Sequence, residues 1–223
     1  MSKKYFGTDG IRGEVNKGNI KTTDLTLEAF NQNTNLTQIF AAGSRANAIR
    51  ADKVGDQFDI QYTILGGGDE YERIETVKNT NATFIIPINF PKPYDVEDPF
   101  LADRLELESM REWNQRPANL SALENNEVPF AITMQGLKSP KSFKTNILSA
   151  IDHGLSKSEA LKALTTVPAQ ILKNDKVGNL EKGSFANFMI TSGDFFEPNA
   201  TVIEHWIRGS RHIFEDLKQK DIR

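Results

Sequence analysis

Residues 60–88 constrain the fold more than any other stretch of the chain. Ile60-Gln61-Tyr62-Thr63-Ile64-Leu65 is β-branched and apolar and reads as a strand. Gly66-Gly67-Gly68-Asp69 stops it. Glu70 to Lys78 sets Tyr71, Ile74 and Val77 on one helical face. Thr83-Phe84-Ile85-Ile86-Pro87-Ile88 is a nearly unbroken apolar run, the pattern of a strand covered on both faces. Strand, helix and strand within 30 residues make a βαβ unit, which requires parallel strands in one sheet.

The alternation continues on both sides. Ser44 suits the N-cap of a helix running to about Asp56, with Ala46, Ile49, Ala51 and Val54 near helical spacing. Residues 89–103 carry three prolines and several acids and predict a long loop, of the kind that is functional or mobile. Leu105 to Asn114 reads as helix, Pro117 fits the first turn of another through Asn125, and Val128 to Thr133 reads as a third strand. Ser139-Pro140 opens a helix to about His153, stopped by Gly154. Ser156 with Glu159 forms a capping box for a helix carrying Ala160, Leu161, Ala163 and Leu164, and Pro168 opens a last short helix. Beyond Asp175 the texture turns to short strands: Phe185 to Thr191, Thr201 to Ile207 and Arg211 to Phe214.

Residues 1–19 read as a strand-like start followed by loop, residues 20–43 predict no element, and the tail from Glu215 is polar. The expected fold is therefore α/β, partial TIM-barrel-like (β/α) units with a small C-terminal β-domain. Its expected divisions are a leader at 1–24, a β/α domain at 25–174, and a β-cap with polar tail at 175–223. A closed (β/α)₈ barrel needs eight strands and ~250 residues, so three or four strands imply a small open sheet or part of a barrel.

Composition narrows the function classes. Hydrophobic residues at 38% and charged residues at 26% suit a soluble globular chain. A net charge of -3 without a basic run points away from nucleic acid and from anionic membranes. The absence of cysteine excludes disulfides, thiolate zinc sites and a cysteine nucleophile. No stretch reaches the ~18 apolar residues of a membrane span, and the N-terminus has no export signal, which leaves the compartment unknown. Histidine is scarce: His153, His205 and His212. A hydrolytic metal centre usually gathers several imidazoles. His153 precedes a helix stop, where a cation favours the helix C-terminus, and the other two lie in the expected β-cap.

The segment GLSKSEALKALTTVPAQILKNDKVGNLEKGSFANFMITSGD, from Gly154 to Asp194, resembles the end of the catalytic barrel of amidohydrolases of the imidazolonepropionase and dihydroorotase type. The matching features are the helix and threonine-rich turn at Leu161 to Thr166, Pro168-Ala169, and Gly178-x-Leu180-x-x-Gly183-x-x-Ala186. The GGGDEY turn, the IIPINFP strand and the PYDVEDP loop extend the resemblance over roughly residues 25–214. It implies a relation to enzymes that hydrolyse C–N bonds other than peptide bonds with a metal-activated water. The family's first half, with its His-x-His strand and carbamylated lysine, has no counterpart here. Where the family ends a strand with histidine this chain has Gly66, and where it has the general-base aspartate this chain has Gln135. An amide cannot take a proton from water or serve as an anionic ligand.

No catalytic or metal-ligating residue is thus expected, and zinc or another divalent metal would need ligands from a partner. Gly67, Gly68, Asp69, Asn89 and Gln135 are the ligand-binding candidates. Asp69, Glu70, Asp95, Glu97 and Asp98 follow expected strands and offer oxygen ligands, but without EF-hand spacing they read as a solvated acidic loop.

Residues 3–14, KKYFGTDGIRGE, resemble instead the N-terminus of bacterial phosphoglucosamine mutases, in which Thr8 and Arg12 would lie near the active site. The phosphoserine, metal and phosphate-binding loops of that family do not follow. The expected function is an amidohydrolase-related domain, catalytically inactive by itself, with a homodimer or a catalytic amidohydrolase barrel as partner. The alternatives are an amidohydrolase that completes its site with a partner chain, a mutase fragment, and a truncated or chimeric product.

Overall fold

The computed structural model of the protein describes residues 5–7, 10–12 and 36–214. The chain divides into two compact units, residues 1–38 and 39–223. In the first, β1 (Tyr5–Gly7) pairs antiparallel with β2 (Gly10–Arg12), Tyr5 opposite Arg12. The rest of the expected leader, Thr8 included, lies outside the described residues, as does the tail from residue 215.

The second unit is built on a four-stranded parallel sheet whose spatial order follows the chain: β3 (Ile39–Ala41), β4 (Thr63–Leu65), β5 (Phe84–Pro87) and β6 (Phe130–Thr133). Register sets Phe40, Ile64, Phe84 and Phe130 in one row, and Ala41, Leu65, Ile85 and Ala131 in the next. Ile64, Phe84 and Phe130 of the first row, with Ile86 and Ile88, face the helices. There Ile64, Phe84, Ile86, Ile88 and Phe130 share one core with Ala48, Val77, Leu120, Leu123, Ile147 and Ala160. The α/β barrel-like expectation is met, with a small antiparallel sheet behind it.

The helices between the strands are α1 (Arg45–Asp56), α2 (Ile74–Lys78), α3 (Pro99–Ala102), α4 (Leu107–Gln115) and α5 (Asn119–Asn125). After β6 come α6 (Ser142–Asp152), α7 (Lys157–Leu164) and α8 (Thr166–Ile171). Ser44 caps α1 by accepting from Asn47 N (3.4 Å), and Ser156 caps α7 by accepting from Glu159 N (3.1 Å). The expected capping box is only half formed. Ser156 N donates to Glu124 Oε2 on α5 (2.8 Å), while Glu159 takes Lys162 (2.8 Å). A tertiary acceptor has displaced the local one.

Strand β3 was not expected, because three exposed residues between Gln38 and Ala42 are too few to show a period. The strand expected from Ile60 begins at Thr63, since Ile60 N bonds Gly55 O (3.0 Å) and the lead-in belongs to the end of α1. The helix expected from Glu70 opens as a 3₁₀ turn, Glu70–Arg73, and the loop after β5 holds the single turn α3, whose Phe100 N bonds Asp98 Oδ1 (2.8 Å).

The C-terminal sheet is an antiparallel meander, β7 (Phe188–Thr191), β8 (Val202–Ile207) and β9 (Ser210–Ile213). Phe185 stays out of β7 because its N–H goes to Lys176 O (2.8 Å). Phe188 stacks on Trp206 at 5.5 Å. Lys144 on α6 donates to Ala200 O (2.6 Å), and Lys157 on α7 meets Asp194 (2.5 Å), tying this sheet to the helices. Among the described residues no helix is long and apolar enough to cross a membrane.

Candidate functional site

The ligand-binding candidates all follow the carboxyl ends of β4, β5 and β6, the end where (β/α) units carry their sites. The structure sorts them into two places.

The first is the turn after β4, which closes on Glu70. This side chain is fully buried. Its Oε1 accepts from Gly67 N (2.8 Å), and its Oε2 accepts from Gly68 N (3.1 Å) and from Asn119 Nδ2 (2.7 Å). Asn119 Oδ1 in turn accepts from Tyr71 N (2.8 Å). The carboxylate thus finds three N–H donors, which is what a buried anion requires. A Cβ placed on Gly66 would lie 2.2 Å from Glu70 Oε1, so glycine there is imposed by the carboxylate beside it. Arg116 donates to Gly67 O and pairs with Glu112 (2.7 Å).

Asp69 sits on the rim of the same turn. Its two oxygens take Arg45 N and Arg45 Nη1, each at 2.8 Å, and the same guanidinium reaches Glu72. Asp69 is therefore an anchor for the start of α1. A recess of about 700 Å³ adjoins it, bordered by Arg45, Tyr71, Glu72 and Gln115. The Tyr71 phenol is held above its ordinary range, first by burial and then by Glu72 and Glu112. The expected acidic loop thus splits: Glu70 is interior and Asp69 is paired, whereas Asp95, Glu97 and Asp98 are exposed.

The second place is a cleft of about 770 Å³ that holds Asn89. Gly136 also lines it, with a φ of +78°, and a Cβ on Gly136 would come 2.4 Å from Asn89 Nδ2. Asn146 on α6 donates to Ile88 O (2.6 Å) and fixes the loop that carries Asn89. Gln135 does not join either group. Its side chain is exposed, and its backbone N–H bonds Thr133 Oγ1 (3.3 Å).

Of the histidines, His153 lines the Asn89 cleft, and His205 and His212 lie in the C-terminal sheet. His153 is the C-cap of α6, where Nδ1 stands 2.7 Å from Ser149 O and donates to it. His205 faces His212 across β8 and β9. Among the described residues no three His, Cys, Asp or Glu are grouped to hold a metal ion.

Arg45, Arg116, Asn119 and Asn146 carry much of this geometry, and sequence reading missed them. They join the turns from 24 to 58 residues away, and no local pattern marks them.

No protein-family profile matches the chain, and no curated protein matches it. Solved structures do. An amidohydrolase from Thermotoga maritima MSB8 superposes with a TM-score of 0.64 at 20% identity, covering 89% of this chain and 48% of that one. The fold is amidohydrolase-like. A Xaa-Pro dipeptidase with methionine in its active site gives a TM-score of 0.59 at 15% identity, covering 91% and 51%. The A. niger ochratoxinase gives 0.56 at 18%, covering 85% and 44%. At these identities the likeness concerns the fold alone, and the chain spans about half the length of each of these amidohydrolase-like structures.

Proposed function

We propose that this chain is an amidohydrolase-fold domain that does not hydrolyse C–N bonds by itself. The observation that supports the reading is the environment of Gly66. In the resemblance drawn above, a metal-binding imidazole would stand at this position. Here the space next to it holds the Glu70 carboxylate, 2.2 Å from where a Cβ would be. That carboxylate is itself committed to Gly67, Gly68 and Asn119. At the other family position stands Gln135, whose amide can neither bind a metal as an anion nor accept a proton from water. These residues do not fit a hydrolytic metal centre. An active site would need its metal ligands from another chain.

The test is an assay of the purified full chain on N-acetyl amino acids and dipeptides, with and without added zinc or manganese. Turnover is expected to stay at the blank rate in every condition. Metal-dependent turnover that survives further purification overturns the reading.

A second reading concerns the partner. Strand β3 is apolar, yet Ile39 and Phe40 are 54% and 40% exposed, and among the described residues β3 pairs only with β4. An apolar edge of this kind favours strand addition. A second copy of this chain or a catalytic amidohydrolase barrel would cover it. Light scattering after size exclusion should give twice the 25.0 kDa chain mass for a homodimer, and Phe40→Pro should return it to monomer.

A further inference from the structure

The cleft after β5 is chemically one-sided. Asp and Glu make up 30 residues of this chain and its net charge is -3, yet no carboxylate lines the cleft. Lys92 and Lys138 do, one from the loop after β5 and one from the loop after β6. Among the described residues neither ammonium has an ion-pair or hydrogen-bond partner. Elsewhere Arg45, Arg116, Lys157, Lys162 and Arg211 are each held by a carboxylate. Two unpaired ammonium groups over one cleft raise the local potential and favour an anion there.

The rest of the lining is amphipathic. One wall is flat and apolar, made by Phe90, Pro91, Pro93, Trp113 and Pro117. The other is a polar stripe along α6, with Ser142, Thr145, Asn146 and Ser149 at helical spacing and His153 at the helix C-cap, while Ile147 and Ala150 turn to the core. Beneath them Asn89 Oδ1 is buried without a hydrogen-bond partner among the described residues. A buried acceptor left unpaired is uncommon in a native fold and calls for a donor.

We propose that this cleft binds a small aromatic carboxylate bearing a hydroxyl or N–H donor. The carboxylate lies between Lys92 and Lys138, the ring against Trp113 and the prolines, and the donor toward Asn89 and the α6 stripe. Aromatic faces and a few convergent polar groups are the usual make-up of a small-molecule site, and a cleft of about 770 Å³ has room for such a ligand. The site takes nothing from Gly66 or Gln135. It therefore stands or falls independently of the catalytic reading.

The chain contains two tryptophans, Trp113 in the cleft and Trp206 in the C-terminal sheet. Their indole N–H signals in a ¹⁵N-labelled sample report on the two places separately, with Trp206→Phe giving the assignment. Titration of the full chain with 4-hydroxyphenylacetate should move the Trp113 signal and leave Trp206 still. The double variant Lys92→Gln, Lys138→Gln should weaken that binding at least tenfold while both signals keep their folded positions. Tyrosol, the neutral alcohol of the same shape, should bind at least tenfold more weakly than the acid. The proposal is overturned if Trp113 does not respond at millimolar ligand, or if the lysine variant or tyrosol binds as well as the parent pair. It is equally overturned if inorganic phosphate alone moves Trp113 as strongly, since the apolar wall then contributes nothing.

Discussion

Asn119 Nδ2 stands 2.7 Å from Oε2 of Glu70, across 49 residues of chain, and joins the start of α5 to the turn after β4. The two side chains are almost wholly buried, and each satisfies the other. The same amide holds the backbone of Tyr71 through its oxygen. One buried polar pair thus fixes the Gly66–Asp69 turn against the helix layer.

Removing the carboxylate should therefore cost more than its size suggests. Glu70→Ala strands the N–H groups of Gly67, Gly68 and Asn119, and each buried unpaired donor costs ~1–3 kcal/mol. A loss of roughly 3 kcal/mol or more is expected in urea unfolding, with Asn119→Ala less severe. An unchanged midpoint for Glu70→Ala would refute this account of the turn.

Restoring an imidazole at the family position should not restore a metal site. Gly66→His drives a Cβ to within 2.2 Å of Glu70 Oε1, so the variant is expected to be destabilised and to carry no stoichiometric zinc by elemental analysis. A stable Gly66→His protein with bound zinc would show that the turn yields easily.

Phe84 and Phe40 share a register row yet should respond differently to truncation. Phe84 is fully buried in the core, and Phe84→Ala should cost ~3–5 kcal/mol. Phe40 is 40% exposed and rests on Tyr62 with ring centroids 5.6 Å apart, so Phe40→Ala should cost under ~1.5 kcal/mol. Thermal melts of the two variants side by side decide the matter.

Acid should loosen the C-terminal sheet. Arg211 and then Trp206 hold the Glu204 carboxyl below its usual range, and Lys157 followed by the Phe196 N–H does the same for Asp194. A depressed folded value means the stabilisation is present above the ordinary carboxylate range and is lost as pH falls through the folded value. Trp206 emission should change below about pH 4, and Glu204→Gln should flatten that change. Asp52 has the opposite sign. Burial first and Asp56 second raise it, so the ionised form opposes folding at neutral pH. Asp52→Asn should be slightly stabilising at pH 7 and neutral in acid.

The βαβ unit at 60–88 was legible because β-branched runs and a glycine stop are local signals. The cap at Ser156 was legible for the same reason, although its box failed when Glu124 supplied a better acceptor. Strand β3 was not, because at three residues and a sheet edge it has no covered face to write a pattern. The Gly66–Asp69 turn could be read as a plain turn or as a ligand approach, and the deciding fact is that Glu70 is interior. Nothing near Glu70 in sequence announces Asn119 or Arg116. Of the binding candidates, Asn89 falls in the cleft and Gln135 stays outside it, a difference made by which way a short loop leaves β6.

The sheet's spatial order also carries a meaning for synthesis. Since β3, β4, β5 and β6 stand side by side in the order they are written, each strand after β3 leaves the ribosome to find one neighbour already laid down. The growing rim of the sheet is always the newest strand. It stays bare until the two helices that pack against β6, Lys157–Leu164 and Thr166–Ile171, have emerged some 30 residues later. A pause in translation between residues 133 and 157 would hold the nascent chain in its most adhesive form.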